Sequence, residues 1–199
     1  MGNETTKSNL RRKNTWLFNK VFSGKGIDIG AGPDPLKKED FPNITDIEVF
    51  DRKHGDANYI TGYRRYESYD FVYSSNCLEH MWDSLAAWGQ WWALVKFNGY
   101  MIISVPDEDL YEQGRFKTKS RWSKEHRCSF TIHKKKSWSR WSNNVLEMIE
   151  WLPDCQIIKI ELVDTNYDYS IPWGSKDQTL GDAETFIEIV LRKVKGYGM

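Results

Sequence analysis

The sequence predicts an α/β fold, an open and mostly parallel sheet covered by helices on both faces. Three observations carry that expectation. Short apolar runs alternate with stretches of helical periodicity. Residues 25–34, Lys-Gly-Ile-Asp-Ile-Gly-Ala-Gly-Pro-Asp, read as a buried strand that stops in a glycine turn. Polar or glycine-rich segments (28–34, 51–57, 74–80 and 106–136) follow the apolar runs, at the strand ends where ligands of such sheets bind.

The elements follow in order. Residues 1–10 are polar and read as loose, and 11–22 read as a helix from the spacing of Leu10, Trp16, Leu17, Val21 and Phe22, so 1–22 form an N-terminal helical segment. Residues 26–29 are a first strand and 47–50 a second, ending at Asp51; 57–60 read as a short third. Residues 69–73 are a fourth, ending at Ser74-Ser75-Asn76. Asp83 or Ser84 caps a helix with Leu85, Trp88, Trp92 and Val95 on one face and Asn98-Gly99 at its end. Residues 100–105 are a fifth strand, stopped by Pro106, and 107–136 are polar with no core strand. Ser137 caps a further helix that turns Trp138, Trp141, Val145, Met148 and Ile149 inward. Residues 156–163 and 185–193 are the last strands, joined by a long loop. One domain spans 1–199, with no internal repeat.

Composition narrows the function. Lys+Arg and Asp+Glu are 28 each, so no net field draws the chain to nucleic acid. Cys77, Cys128 and Cys155 form neither a metal spacing nor a disulfide framework, which points to a reducing cytoplasm. No apolar run is of bilayer length, so no stable membrane insertion is expected. Several of the ten tryptophans (Trp122, Trp138, Trp141, Trp173) sit among polar residues and suit a ligand surface.

The glycine turn lets a ligand approach bare backbone, and Asp28 inside the strand needs a cationic or hydrogen-bonding partner. Together they suggest a pocket for a polar, partly cationic cofactor. Asp51, at the tip of the next strand, stands where an acid would grip the two hydroxyls of a ribose. Asp56, in Gly55-Asp56-Ala57, could accept from an adenine amino group.

These residues, with Tyr69–Met81 and Asn98–Pro106, make the chain resemble the class I S-adenosylmethionine-dependent methyltransferases, in particular the small-molecule (type 11-like) group whose fourth strand is followed by Leu-Glu-His. The resemblance covers residues 24–106. It implies a Rossmann-like fold with a seven-stranded, mostly parallel sheet and an antiparallel last strand, and S-adenosyl-L-methionine as cofactor with S-adenosyl-L-homocysteine as product. Asp34 stands where a third glycine is usual, which argues against a dinucleotide. By position, Gly30, Ala31 and Gly32 carry the methionine part and Asp28 lies near its ammonium. Asp51 takes the ribose hydroxyls with Arg52 beside the adenine, Asp56 and Ala57 border that base, and Ser74, Ser75 and Asn76 floor the sulfonium.

A hydroxyl acceptor needs a base, and the chain holds four histidines. His80, beside the cofactor floor, and His126, in the substrate-side insertion 107–136, are the candidates, with Glu79 and Glu125 to orient them or share the role; His54 and His133 rank lower. Trp122, Arg127, Tyr167 and Trp173 are candidate substrate contacts. Lys134-Lys135-Lys136 and Arg140 beside Trp138 and Trp141 would suit an anionic acceptor such as a nucleotide sugar. Asp107, Glu108 and Asp109 fall in a turn that reads as exposed and lacks a third ligand, so no metal is expected. The expected function is methyl transfer to a small molecule, foremost O-methylation of a sugar or glycan-pathway intermediate. The alternatives are N- or O-methylation of another metabolite or natural product, and a catalytically silent cofactor-binding subunit.

Overall fold

The computed structural model describes residues 3–114, 125–132 and 134–195. Its main sheet has six strands in the order β2-β1-β3-β4-β8-β7, formed by β1 (Gly24–Ile29), β2 (Ile44–Phe50), β3 (Tyr69–Ser75), β4 (Val95–Pro106), β7 (Cys155–Val163) and β8 (Phe186–Lys193). Strands β2, β1, β3 and β4 pair in parallel, and β8 runs antiparallel between β4 and β7. The order reverses beside β1, which sets the C-terminal ends of β1, β2 and β3 around one crevice.

The third strand expected at 57–60 is absent: Ala57–Gly62 is a 3-10 turn, which makes the sheet six-stranded rather than seven-stranded. Asp56 caps the turn by accepting from the Asn58 amide (2.9 Å), and the indole of Trp91 donates to the Ala57 carbonyl (2.9 Å), so backbone groups that a strand would need are already bonded. The helix expected to begin at Ser137 starts later, as α4 (Val145–Glu150) capped by Asn144. Ser137 and Ser139 accept from the amides of Ser139 and Trp141, holding that stretch in turns. Trp138 and Trp141 are consequently partly exposed, and Ser142–Asn144 (β6) pairs with Ser129–Thr131 (β5), a strand inside the stretch expected to have none.

Two apolar layers flank the sheet. On one side Ile27, Ile29, Val72 and Ile103 pack beneath Trp88, Trp91 and Trp92 of α3 (Ser84–Ala93) and Met148 and Ile149 of α4. Helix α3 is capped by Asp83 as expected but ends at Ala93, before Asn98-Gly99, which lie within β4. On the other side Phe71, Tyr73, Ile102 and Val190 meet Phe18, Val21 and Phe22, contributed by α2 (Trp16–Val21) and its C-cap. Leu10 and Trp16, expected on a buried face, are exposed.

Residues 4–12, expected to be loose, form α1 (Glu4–Arg12). Its buried side chains are polar: Thr5, Ser8, Asn9 and Arg12, at helical spacing. They cover a polar patch of the sheet. Arg12 is fully buried, with Nε 2.5 Å from Glu188 Oε2, Nη2 donating to Ser104 Oγ (2.7 Å) and Nη1 to Tyr73 Oη (3.1 Å). Arg11 and Lys159 also bond Glu188. Burial pushes the Glu188 carboxyl up, but Arg12, Arg11 and Lys159 outweigh it and hold the group down at about 2.

Candidate functional site

Three strand ends build the crevice. At the end of β1 the chain turns through Gly30 (φ +74°) and Gly32 (φ +54°), left-handed values that favour glycine. A Cβ on Gly30 would lie 2.2 Å from Cys77 Sγ, so this glycine lets the loop after β3 pack against the turn. A Cβ on Gly32 would meet nothing nearer than the Gly30 carbonyl at 4.0 Å, so Gly32 borders open space, while Ala31 is half-buried. The two glycines therefore do different work: one lets the turn close on Cys77, the other leaves open space beside the backbone.

Asp28, 1 % exposed, accepts from the Leu36 amide (2.7 Å). Burial raises its carboxyl to about 7; the Leu36 bond opposes that, and the negative charges of Asp34 and Asp51 add to it. Three acids thus converge on the glycine turn. Asp34 is held by the amide and hydroxyl of Thr6 (2.9 and 2.5 Å), so α1 braces the turn. Asp51, half-buried, ends β2 and accepts from the Arg52 amide (2.8 Å), while its own amide donates to His54 Nδ1 (2.9 Å). The Arg52 side chain is exposed beside it. Asp56 is exposed but grips both nitrogens of Asn58, whose Oδ1 accepts from the Trp82 amide (2.8 Å).

At the end of β3 the three expected floor residues divide. Ser74 Oγ donates to the Ile29 carbonyl (2.7 Å) and is buried, so it ties β3 to β1. Ser75 Oγ and Asn76 Oδ1 are buried from water and have no protein partner. Asn76 also takes a left-handed φ of +49°, fixed by its amide donating to the Ser104 carbonyl (3.0 Å). Unpartnered buried polar atoms are costly, and these two lie at the end of β3, the strand that pairs with β1 ahead of the glycine turn.

Next to this floor stands a second cluster. Glu79 (1 % exposed) has Oε1 3.8 Å from His80 Nε2 and 3.9 Å from His126 Nε2, and its Oε2 is unpartnered. The two imidazoles meet edge to face, centroids 4.9 Å apart. His126 Nδ1 is 2.5 Å from Glu112 Oε1, and the ring stacks on Tyr111. His80 Nδ1 lies 3.2 Å from the Glu125 carbonyl, so Glu125 takes part through its backbone. Burial lowers the His126 imidazole, but Glu112 and Glu79 together hold it above the usual histidine value.

Glu112 is the partner that sequence reasoning missed. It ends a π-helical turn, Glu108–Glu112, capped by Asp107. Asp107, Glu108 and Asp109 were expected in an exposed turn; Asp107 and Glu108 are in fact buried, as is Glu112, and Asp109 is partly exposed. The same turn carries the aromatic contacts. The indoles of Trp138 and Trp173 donate to Asp109 Oδ1 (3.1 Å) and to its carbonyl (2.9 Å), and their rings stand edge to face at 6.4 Å. Tyr167 packs edge to face on Tyr169. Arg127 donates to the His80 carbonyl (3.1 Å) and lies over the Trp82 ring, so it braces the cluster. Trp122 and His133 lie outside the described residues.

No helix among the described residues is long and apolar enough to cross a membrane. No curated protein matches the chain by sequence. Solved structures share the fold. A SAM dependent methyltransferase from Archaeoglobus fulgidus is 14 % identical with a TM-score of 0.56, over 96 % of this chain and 94 % of the other. One from Clostridium acetobutylicum is 9 % identical at 0.56, over 98 % and 93 %. One from Mesorhizobium loti is 14 % identical at 0.52, over 94 % and 97 %. The family described as a methyltransferase domain matches residues 8–144, which run from α1 through the glycine turn, the β3 floor and the histidine cluster to β6. By that match the chain belongs to the methyltransferase domain family and is a methyltransferase.

Proposed function

We propose that this enzyme moves the methyl group of S-adenosylmethionine to a hydroxyl of a small molecule, and that the acceptor is a sugar or glycan-pathway intermediate. When bound, the cofactor supplies an electrophilic methyl on a sulfonium. The crevice suits it: the cradle at Gly32 is bare, the acids Asp28, Asp34 and Asp51 favour a cationic ligand, and Ser75 Oγ and Asn76 Oδ1 lack partners. Gly30, Ala31 and Gly32 would carry the methionine part near Asp28, Asp51 the ribose, and Arg52, Asp56 and Ala57 the adenine. Ser75 and Asn76 would floor the sulfonium, with Ser74 holding that floor to β1.

The observation that carries the oxygen acceptor is the cluster of buried Glu79 and His126 with half-exposed His80, a few residues along the chain from Asn76. An amine that is already neutral needs only position and orientation, whereas a hydroxyl must also lose a proton, and this cluster is where that proton is made easy to lose. The sugar is supported by Trp173 and Trp138, two half-open rings set edge to face on the turn that also supplies Glu112. Aromatic faces of this kind pack on the apolar side of a pyranose, and Tyr167 and Arg127 would add further contacts to the acceptor.

Labelled cofactor offered to a panel of sugars, nucleotide sugars and hydroxylated or amino metabolites tests this reading. Label is expected on a sugar oxygen. Label found only on nitrogen, or none on any carbohydrate, overturns it. Cofactor affinity is expected to fall as pH drops below about 7 and then level off, because protonation removes the Asp28 charge that favours the ammonium. Isothermal titration between pH 5.5 and 8 checks this, and Asp28→Asn should flatten the profile.

A further inference from the structure

Glu79, His80 and His126 each present one ligand atom, and the three atoms lie within 4.8 Å of one another. Ligands about 2.1 Å from a tetrahedral ion stand about 3.4 Å apart, so the separations of 3.8 and 3.9 Å from Glu79 need only a small contraction. The other nitrogen of each histidine is already committed. His126 Nδ1 faces the Glu112 carboxylate at 2.5 Å, and His80 Nδ1 faces the Glu125 carbonyl at 3.2 Å. Hydrogens placed there leave both Nε2 lone pairs pointing at Glu79, the arrangement by which metal-bound histidines are oriented.

Charge and satisfaction point the same way. Glu79 and Glu112 are 1 % and 0 % exposed, and each keeps one oxygen without a partner. A divalent cation held there would satisfy the open oxygen of Glu79 and offset the buried acids Glu79 and Glu112. An acid with two imidazoles suits the first-row transition ions from manganese to zinc better than magnesium or calcium, which prefer oxygen ligands.

We propose that Glu79, His80 and His126 bind a divalent transition-metal ion, with Glu112 orienting His126, and that the ion's open positions take the acceptor's oxygen. The use of the ion rests on the hydroxyl-acceptor reading above; the binding of the ion does not. In methyl transfer the bound hydroxyl loses its proton to solvent, its oxygen bonds the methyl carbon, and the carbon–sulfur bond breaks with its electron pair left on sulfur as the thioether.

The test uses the full chain stripped with a chelator and titrated with Co2+, Mn2+ or Zn2+. One ion per chain is expected by calorimetry, with visible absorption bands for Co2+. His126→Ala and His80→Ala should abolish stoichiometric binding, and Glu112→Gln should weaken it by about 10- to 100-fold, with circular dichroism of the stripped proteins unchanged. His80→Asn, at a half-exposed position, serves if an alanine variant fails to fold. Absence of stoichiometric binding by the wild type, or binding that survives loss of both histidines, overturns the proposal. Stripped protein that methylates hydroxyls at full rate overturns the metal's use while the acceptor reading stands. A metal-loaded protein that methylates no hydroxyl overturns the acceptor reading while the site stands.

Discussion

Replacing Arg12 with methionine is expected to lower the melting temperature by about 6–12 °C, from a loss of roughly 3 kcal/mol in a chain of this size. The guanidinium is fully buried and bonds Glu188, Ser104 and Tyr73 at once. Removing it leaves the hydroxyls short of a donor, while Glu188 keeps Arg11 and Lys159, which puts the cost at the low end for a broken buried pair. Glu188→Gln should cost more, about 5 kcal/mol, because Arg12 then remains buried with no carboxylate against it. The sign with pH is fixed by the same group. The Glu188 carboxyl is held at about 2 in the fold against 4.5 ordinarily, so its contribution is present above about pH 4.5 and is lost as pH falls toward 2. Denaturant melts at pH 7 and pH 3 check this. The wild type should lose about 2 kcal/mol between them through this group, the remainder going only as pH nears 2, and Glu188→Gln should lose correspondingly less.

The second large effect separates two glycines. Gly32→Ala is expected to cost only about 1 kcal/mol of stability, for an alanine in left-handed backbone with open space before it. It should nonetheless remove most of the thermal shift given by S-adenosylmethionine, because its methyl group occupies the cradle. That shift is about 2.7 kcal/mol at a hundred times the dissociation constant, or about 5–11 °C here. Gly30→Val should instead fail in the fold itself. Its side chain would enter the space of Cys77 Sγ while φ stays at +74°, a combined cost of about 2–5 kcal/mol. A Gly32→Ala protein that binds cofactor like the wild type would show that the methionine part lies elsewhere.

What the sequence revealed was local. The glycine turn, Asp51 at its strand tip and the β3 floor were legible because each is an apolar run broken by the residues that end it. Helix α1 was not, because hydrophobic periodicity is blind to a helix whose buried stripe is Thr5, Ser8, Asn9 and Arg12. That stripe makes sense only beside Glu188, 176 residues further on. The pairing of Glu112 with His126 was hidden for a related reason: an acid-rich stretch reads as solvated until a π-helical turn buries it. The serine-rich stretch before α4 shows a third cause, hydroxyls that bond their own backbone and so delay a helix that apolar spacing alone would start earlier.

The seat of α1 also orders events as the chain emerges during synthesis. Arg12 must wait for Tyr73 and Ser104, 61 and 92 residues away, and then for Glu188 in the last strand, before its charge is neutralised. Thr6, which steadies Asp34 beside the glycine turn, rides on the same helix. A nascent protein released before β8 is made should therefore hold a loose crevice, and the capacity to take up cofactor should appear late and abruptly rather than grow with length.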